Sequence, residues 1–518
     1  MPISIQQIQN KLARWQTATL LGGITLIGLA LRFYAIGTKT IWLDEAFSIW
    51  LAHQPLREMW AWLVRIDQHP PLYYTLLHYW IALFGDTQGA VRALSALFSG
   101  LAIPFLYGAC RYLFARRIAL SAALLLAFSP LHIRYAQEAR MYALLTLGVA
   151  IALYLLAVIL FDARSHGARW PWLGLALAQT AVMLTHNTAT IFWPLALNSV
   201  IGGALLWQRQ QNTLSSLPML NAPHFTRRWL GVQLLALGGW LPWSVPFLIQ
   251  SRLVDREFWI APPTLELVYE TLHNFNLAFL PAWSSGALLG NLGCWLLVGL
   301  GVWSLRHTPA RALLLVTLCL LPFCGELLVS LRRPIFSERT LLWITLPYAI
   351  LLAAGIGQAS RMAGRYPRAV VAGILILLLG CNSFGLTQYY VHFAKEEWDQ
   401  AAAYVAQASA PGDLILFHAT WVQLPFDYYF RHTGKTAELR GLPVDLFERG
   451  VLEPKMTEAD LPRLQTLIAD REHVWLIYSH DWYTDPQAIL PRELQRALVL
   501  TEQRTFIGLR VMHFQRAP

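Results

Sequence analysis

Two adjacent carboxylates, Asp44 and Glu45, follow the first long apolar stretch of the chain, in the run Trp42-Leu43-Asp44-Glu45. Acidic side chains beside a bilayer are costly to desolvate, so they generally have a task or a partner there. The task these two suit is acid/base chemistry at the membrane surface. Downstream, Phe47, Trp50 and Leu51 recur at i, i+3 and i+4, which predicts a short helix. Asp44 takes an N-cap-like place and Glu45 the first turn. Capping by itself stabilises a helix by about 0.5–2 kcal/mol and needs no catalysis. The same helix end favours negative charge, as a base requires.

Further polar groups repeat this pattern of chemistry next to apolar segments. In Asp67-Gln-His69-Pro-Pro-Leu-Tyr-Tyr74, His69 suits a metal ligand, a proton acceptor or a donor to a substrate oxygen, and equally a turn histidine bonded to backbone. Arg92, at the mouth of the second span, has the reach to bind a phosphate or to snorkel to the interface. In Arg134-Tyr-Ala-Gln137-Glu138-Ala-Arg140-Met-Tyr142, helical spacing pairs Arg134 with Glu138 and Gln137 with Arg140. That is more polarity than lipid anchoring needs. His186-Asn187 and Arg332-Arg333 through Glu338-Arg339 form a last set, where flanking arginines also serve as plain anchors.

The scaffold that must position these groups is a membrane protein. Of 518 residues, 56% are apolar and 14% charged, whereas soluble domains are roughly a quarter charged. About eleven spans of the ~20-residue crossing length are predicted: 17–36, 91–113, 118–133, 141–161, 170–186, 188–207, 229–250, 286–305, 311–331, 340–358 and 368–388. The third and fifth are short or interrupted. The N-terminal stretch lacks a small-residue cleavage site and is read as the first permanent span. Twenty-two Trp and nineteen Tyr suit two aromatic belts at the water–lipid boundaries. The net charge of +10 sits in short loops rather than on one face, which argues against a nucleic-acid partner.

Loop charges set the orientation. Arg111, Arg116, Arg117, Arg164, Arg169, Arg227, Arg228, Arg306, Arg311 and Arg361 lie on one side with almost no acid. Asp44, Glu45, Asp67, Glu138, Glu257 and Glu338 lie on the other. The positive-inside rule places the first set in the cytoplasm and Asp44 on the opposite face. Between spans one and two, residues 38–90 carry interfacial helices, one opened by Pro70-Pro71. A second outer loop holds Trp259-Ile-Ala-Pro-Pro263. After residue 388 the composition changes. A helix at 395–404 and strands at 414–417, 474–478 and 510–514 predict a soluble α/β domain over 389–518, following a membrane domain over 1–388. The cysteines all fall in or beside apolar runs and read as buried, inert thiols.

Taken together, these motifs resemble the GT-C membrane glycosyltransferases, in particular relatives of protein O-mannosyltransferases and lipid A aminoarabinose transferase. The matching residues are Trp42-Leu-Asp44-Glu45, His69-Pro-Pro-Leu-Tyr-Tyr, Arg92-Ala-Leu-Ser-Ala-Leu, Ser129 through Tyr142, and Thr185-His186-Asn187. Lys395-Glu-Glu-Trp398 and Gly412-Asp413 are similar to the start of the C-terminal domain in bacterial members. The resemblance is good over 15–200 and thin across 210–390. It implies an all-α polytopic bundle with a small extracytoplasmic α/β domain, in the inner membrane. It also implies sugar transfer from a polyprenyl-phosphate carrier to a hydroxyl of a lipid, glycan or protein.

Asp44 is then the base and Glu45 orients it or the acceptor, while Arg92 and Arg140 stabilise the departing phosphate. His69, Tyr74, Gln137, Glu138, Tyr142, His186 and Arg339 complete the binding set. No cofactor is required, although Asp44, Glu45 and His69 would be the ligands of any divalent metal. One-step attack predicts inversion. Nothing resembles the lumenal repeat domain of eukaryotic O-mannosyltransferases, so a protein acceptor does not follow. The competing readings are a transporter or flippase of lipid-linked sugars, an O-antigen-type ligase, and a scaffold subunit. Transporters tend to carry ionisable groups at mid-membrane, whereas the acids here cluster at one face, Glu326 excepted.

Overall fold

The structure is a computed structural model that describes residues 5–162, 167–211, 224–256, 262–446, 448 and 454–517. Arg164, Glu257 and Trp259 lie outside the described residues. Helix α1 (Ile5–Phe33) is followed by three short helices, α2 (Leu43–His53), α3 (Leu56–Ile66) and α4 (Leu72–Phe84). Then come α5 (Gln88–Leu113), α6 (Arg116–Ala127), α7 (Pro130–Ala136), α8 (Tyr142–Phe161), α9 (Trp170–Met183) and α10 (Asn187–Gln211). The bundle continues with α11 (Phe225–Trp240), α12 (Ser244–Arg256), α13 (Leu265–Leu277), α14 (Ser285–Ser304), α15 (Pro309–Ser330), α16 (Thr345–Met362) and α17 (Pro367–Thr387).

Among the described residues, nine helical segments are long and apolar enough to cross a bilayer. The pair α6–α7, bent by 54°, makes a tenth if counted as one span. The predicted span 170–186 falls short, because α9 ends after 14 residues, just before the polar run Thr185-His186-Asn187. The predicted span 118–133 is the bent pair. Its break has a local cause: Ser129 precedes Pro130, a position that disfavours helical backbone, and the Ser129 hydroxyl caps α7 by accepting from His132 N–H. Arg32, fully buried on α1, donates to the buried C-terminal carbonyls of α6 at Leu126 and Ala127, at 3.1 Å each. A guanidinium thus satisfies the helix end that water would satisfy outside a membrane.

Small residues set the helix contacts. Gly301 on α14 and Gly355 on α16 face each other so closely that a Cβ on either would collide with a backbone carbonyl of the other helix. Without a hydrophobic drive between helices in lipid, such close packing is what binds them.

The C-terminal domain has a five-stranded sheet: β1 (Leu414–His418), β2 (Glu438–Gly441), β3 (His473–Tyr478), β4 (Val499–Phe506) and β5 (Leu509–Gln515), in the order β2-β1-β3-β5-β4. Strands β2, β1 and β3 run parallel, and β5 and β4 are antiparallel additions. The three predicted strands are the central ones, whose apolar runs are buried. The two edge strands, Glu-Leu-Arg-Gly and the largely exposed 499–506, carry no such run. Helix α18 (Trp398–Ala408) packs on α19 (Gln423–Phe430), which in turn meets α2 of the membrane part. All five cysteines are free. Cys110 and Cys294 are buried, but Cys324 is exposed on the bundle surface, contrary to the expectation of five buried thiols.

Candidate active site

Helix α2 begins at Leu43, with Trp42 as its cap. Asp44 and Glu45 therefore both lie in the first turn, and Asp44 is not the cap. Adjacent helical residues point about 100° apart, so the two carboxylates diverge. Asp44, with its side chain 30% exposed, lines a cavity of about 270 Å³. Glu45 turns inward and is fully buried.

Around Asp44 the cavity gathers cations. Arg339 Nη1 donates to Asp44 Oδ2 at 3.2 Å, and Arg140 Nε stands 3.9 Å from the same oxygen. Arg333 also lines the cavity. Arg140 is buried and held by Nη1, which donates to Tyr74 Oη at 2.9 Å and Ser48 Oγ at 3.3 Å. Tyr74 supports that guanidinium from behind and does not line the cavity. His69 does, and its Nδ1 donates to Asp67 Oδ1 at 2.9 Å. Burial raises the Asp67 carboxyl, but His69 and Arg140 together outweigh this and hold it below the ordinary carboxylate value. His186 and Tyr142 complete the polar wall.

Four buried polar atoms in the cavity-lining residues have no hydrogen-bond partner: Asp67 Oδ2, Arg140 Nε, His186 Nε2 and Asn187 Oδ1. Each such orphan costs about 1–3 kcal/mol, and all four stand in residues that line this cavity.

Several expected site residues do different work. Glu45 does not face the cavity. Its Oε1 accepts from Arg92 Nε at 2.7 Å and Ala139 N–H at 2.9 Å, and its Oε2 from Arg92 Nη2 at 2.7 Å and Lys395 Nζ at 2.9 Å. Burial would raise this carboxyl, yet Arg92 and Lys395 bring it down to about 2. Arg92 cannot grip a phosphate. Besides Glu45 it donates to the carbonyls of Ile36, Lys39 and Thr40, so its N–H groups are consumed by the loop that folds over it. Gln137 does not pair with Arg140. It binds the carbonyls of Arg32 and Tyr34 and receives Tyr389 Oη–H.

Glu138 is likewise buried away from the cavity, 3.7 Å from Arg134. Burial pushes its carboxyl above the ordinary value against the pull of Lys395 and Arg134. With Glu45 sealed off, Asp44, Glu45 and His69 do not converge, and the described residues hold no cluster of three or more metal-ligating side chains.

Three participants carried no sequence signal for their role. Lys395 pins Glu45 from the start of the C-terminal domain. Gln250 on α12 accepts from Asn187 Nδ2 at 3.0 Å and donates to the Leu63 carbonyl. Trp421, just after β1, forms part of the cavity wall and meets Phe47 of α2 edge-on, with ring centroids 5.5 Å apart.

The family profile described as dolichyl-phosphate-mannose-protein mannosyltransferase matches residues 68–223, a stretch that includes His69, Arg92, Arg140 and His186. No curated protein gives a significant match. Among solved structures, ArnT from Cupriavidus metallidurans in the apo state superposes with a TM-score of 0.60 at 14% identity, covering 97% of this chain and 98% of that one. ArnT bound to undecaprenyl phosphate gives a TM-score of 0.53 at 14% identity, covering 95% and 97%. The Archaeoglobus fulgidus oligosaccharyltransferase with Zn and sulfate gives 0.59 at 10% identity, covering 96% of this chain and 73% of that chain. The chain has the GT-C fold seen in ArnT, with nine or ten helical segments among the described residues long and apolar enough to cross a membrane.

Proposed function

We propose that the protein is a glycosyltransferase that moves a sugar from a polyprenyl-phosphate carrier to an acceptor hydroxyl. The observation that carries this reading is the cavity in which Asp44 stands opposite Arg140 and Arg339. One side of that cavity is apolar, formed by Ile191, Phe247 and Val329, and Ile191 and Val329 are also exposed on the bundle surface. A polyprenyl tail can therefore lie against lipid-facing helices while its phosphate meets the arginines. Support also comes from ArnT, solved with undecaprenyl phosphate, and from the archaeal oligosaccharyltransferase AglB, solved with an inhibitory peptide and a dolichol-phosphate.

In this mechanism the carrier phosphate takes over Arg339, which releases Asp44 from its ion pair. Asp44 then accepts the proton of the acceptor hydroxyl as that oxygen bonds to the anomeric carbon. The carbon–oxygen bond to the phosphate breaks, and the electron pair leaves on a phosphate stabilised by Arg140 and Arg339. Attack from the face opposite the phosphate inverts the anomeric centre. Phosphate is already a good leaving group, so no second acid is needed. The loop charges support an extracytoplasmic cavity and C-terminal domain. The test is to reconstitute the purified protein with a radiolabelled polyprenyl-phosphate hexose and extracted envelope glycolipids. Transfer of label that Asp44→Asn abolishes supports the reading. Movement of intact carrier between leaflets without transfer would replace it with a flippase.

A further inference from the structure

The apolar lining of the cavity comes from two different places. Ile191 and Val329 stand on α10 and α15, which pack against each other, and both are exposed on the bundle surface. Leu43 and Phe47 stand on α2, and the C-terminal domain brings Trp421 against Phe47, with ring centroids 5.5 Å apart. Trp421 is only 6% exposed. A polyprenyl chain must remain continuous with the membrane, so the first patch suits it. The second is covered by the C-terminal domain and suits a compact group rather than a chain.

The place of this second patch on α2 indicates which compact group. Asp44 and Phe47 are three residues apart, so they share a face of the helix, about 4.5 Å apart along its axis. An acceptor hydroxyl placed on Asp44 therefore has the rest of its molecule beside Phe47 and Trp421. A pyranose ring is made for such a neighbour. Its hydroxyls radiate from the rim, whereas its two faces carry C–H groups that settle on the electron-rich face of an aromatic ring. One rim hydroxyl then meets Asp44 while the ring lies against the aromatic patch. A serine or threonine has no such face, and its peptide groups would be desolvated against Leu43, Phe47 and Trp421.

We propose that Phe47 and Trp421 form the acceptor subsite and that its occupant is a sugar ring, which makes the acceptor a glycan or glycolipid. The inference rests on the transferase reading and deepens it. Trp421 is then a specificity-determining residue, touching the acceptor and not the carrier, and through it the C-terminal domain takes part in choosing the acceptor.

The experiment gives the full-length protein in nanodiscs radiolabelled polyprenyl-phosphate mannose and a whole envelope extract, and asks which molecule receives the label. Label on a sugar of the glycan or glycolipid fraction is expected. Label on protein, or on a lipid hydroxyl that belongs to no sugar, overturns the subsite and leaves the transferase reading standing. Transfer to no fraction overturns both. Variants then separate a sugar platform from plain packing. Trp421→Leu keeps apolar bulk and removes the ring. It is expected to raise KM for the extracted acceptor about three- to tenfold, as loss of one aromatic contact does, while binding of bare polyprenyl phosphate persists. Trp421→Phe is expected to recover most of that loss, and Phe47→Leu to act in the same direction as Trp421→Leu. A KM in Trp421→Leu equal to that of the wild type or of Trp421→Phe overturns the subsite, as does carrier binding lost together with acceptor affinity.

Discussion

Lys395 Nζ lies 2.9 Å from Glu45 Oε2, on the residue next to Asp44. The segment entering the sheet domain is therefore bonded to the helix that presents the proposed base. Removing one member of such a buried, paired set leaves the others uncompensated, at a cost of about 3–5 kcal/mol. Glu45→Gln is expected to lower the thermal unfolding temperature in detergent sharply. Arg92→Ala is expected to do the same, because its guanidinium is spent on Glu45 and three carbonyls.

The same carboxyl gives a pH dependence of known sign. Its folded value, about 2, lies below its ordinary 4.5, so folding favours the ionised form. The stabilisation is complete above pH ~4.5 and is lost as the pH falls from there towards ~2. Unfolding temperatures measured down this range should drop in the wild type and lose that component in Glu45→Gln.

Asp44→Asn keeps the shape of the residue and removes its basicity. Turnover is expected to fall by about 10²–10⁴-fold, with unfolding temperature and bare-carrier binding close to wild type. Turnover within a few-fold of wild type in well-folded protein would falsify the base assignment.

Arg339→Ala is expected to lower kcat/KM for the lipid-linked donor by about 10–100-fold, as the loss of a charge-assisted phosphate contact does. The raised KM is the diagnostic part, since a purely structural arginine would lower yield and leave KM alone. Because Asp44 is already engaged by Arg339 and faces Arg140, turnover is expected to survive EDTA. Loss on chelation, restored by a divalent ion, would place a metal in the reaction.

Glu326, deep in α15, supports Arg339 from behind. Thr340 Oγ1 lies 2.6 Å from Glu326 Oε2 and 2.8 Å from the Ser337 carbonyl. The Thr340 hydroxyl donates to the Glu326 carboxyl, which anchors the turn that carries Arg339. Glu326→Gln, whose amide oxygen still accepts, is expected to stay near wild type in activity. Glu326→Ala is expected to destabilise by about 1–3 kcal/mol and to weaken donor binding, read from unfolding temperature and KM.

Much of this architecture was legible because lipid makes the sequence explicit. Apolar runs of crossing length mark the helices, and the polar clusters at 67–69, 134–142, 186–187 and 332–339 interrupt them where the cavity lies. Asp44, His69, Arg140, Tyr142, His186 and Arg339 all reach that cavity. The divergence of Asp44 and Glu45 follows from helical geometry once both lie in the first turn. What no local pattern reveals is the fate of Arg92. It depends on residues 36–40 folding over the helix end and on Lys395 arriving from far along the chain. Glu138 and Gln137 misled for a related reason. Polar residues that satisfy backbone inside a bundle look, in sequence, like residues that await a substrate.

Trp421 closes one wall of the cavity from the sheet domain. During synthesis the ribosome delivers Asp44 early and Trp421 late. Asp44, Arg140 and Arg339 all precede it in the chain, so the cavity gains its last side only once Trp421 has been made. The chamber is assembled from the bundle and the sheet domain together, and grafting a foreign sheet domain would change its shape as well as its covering.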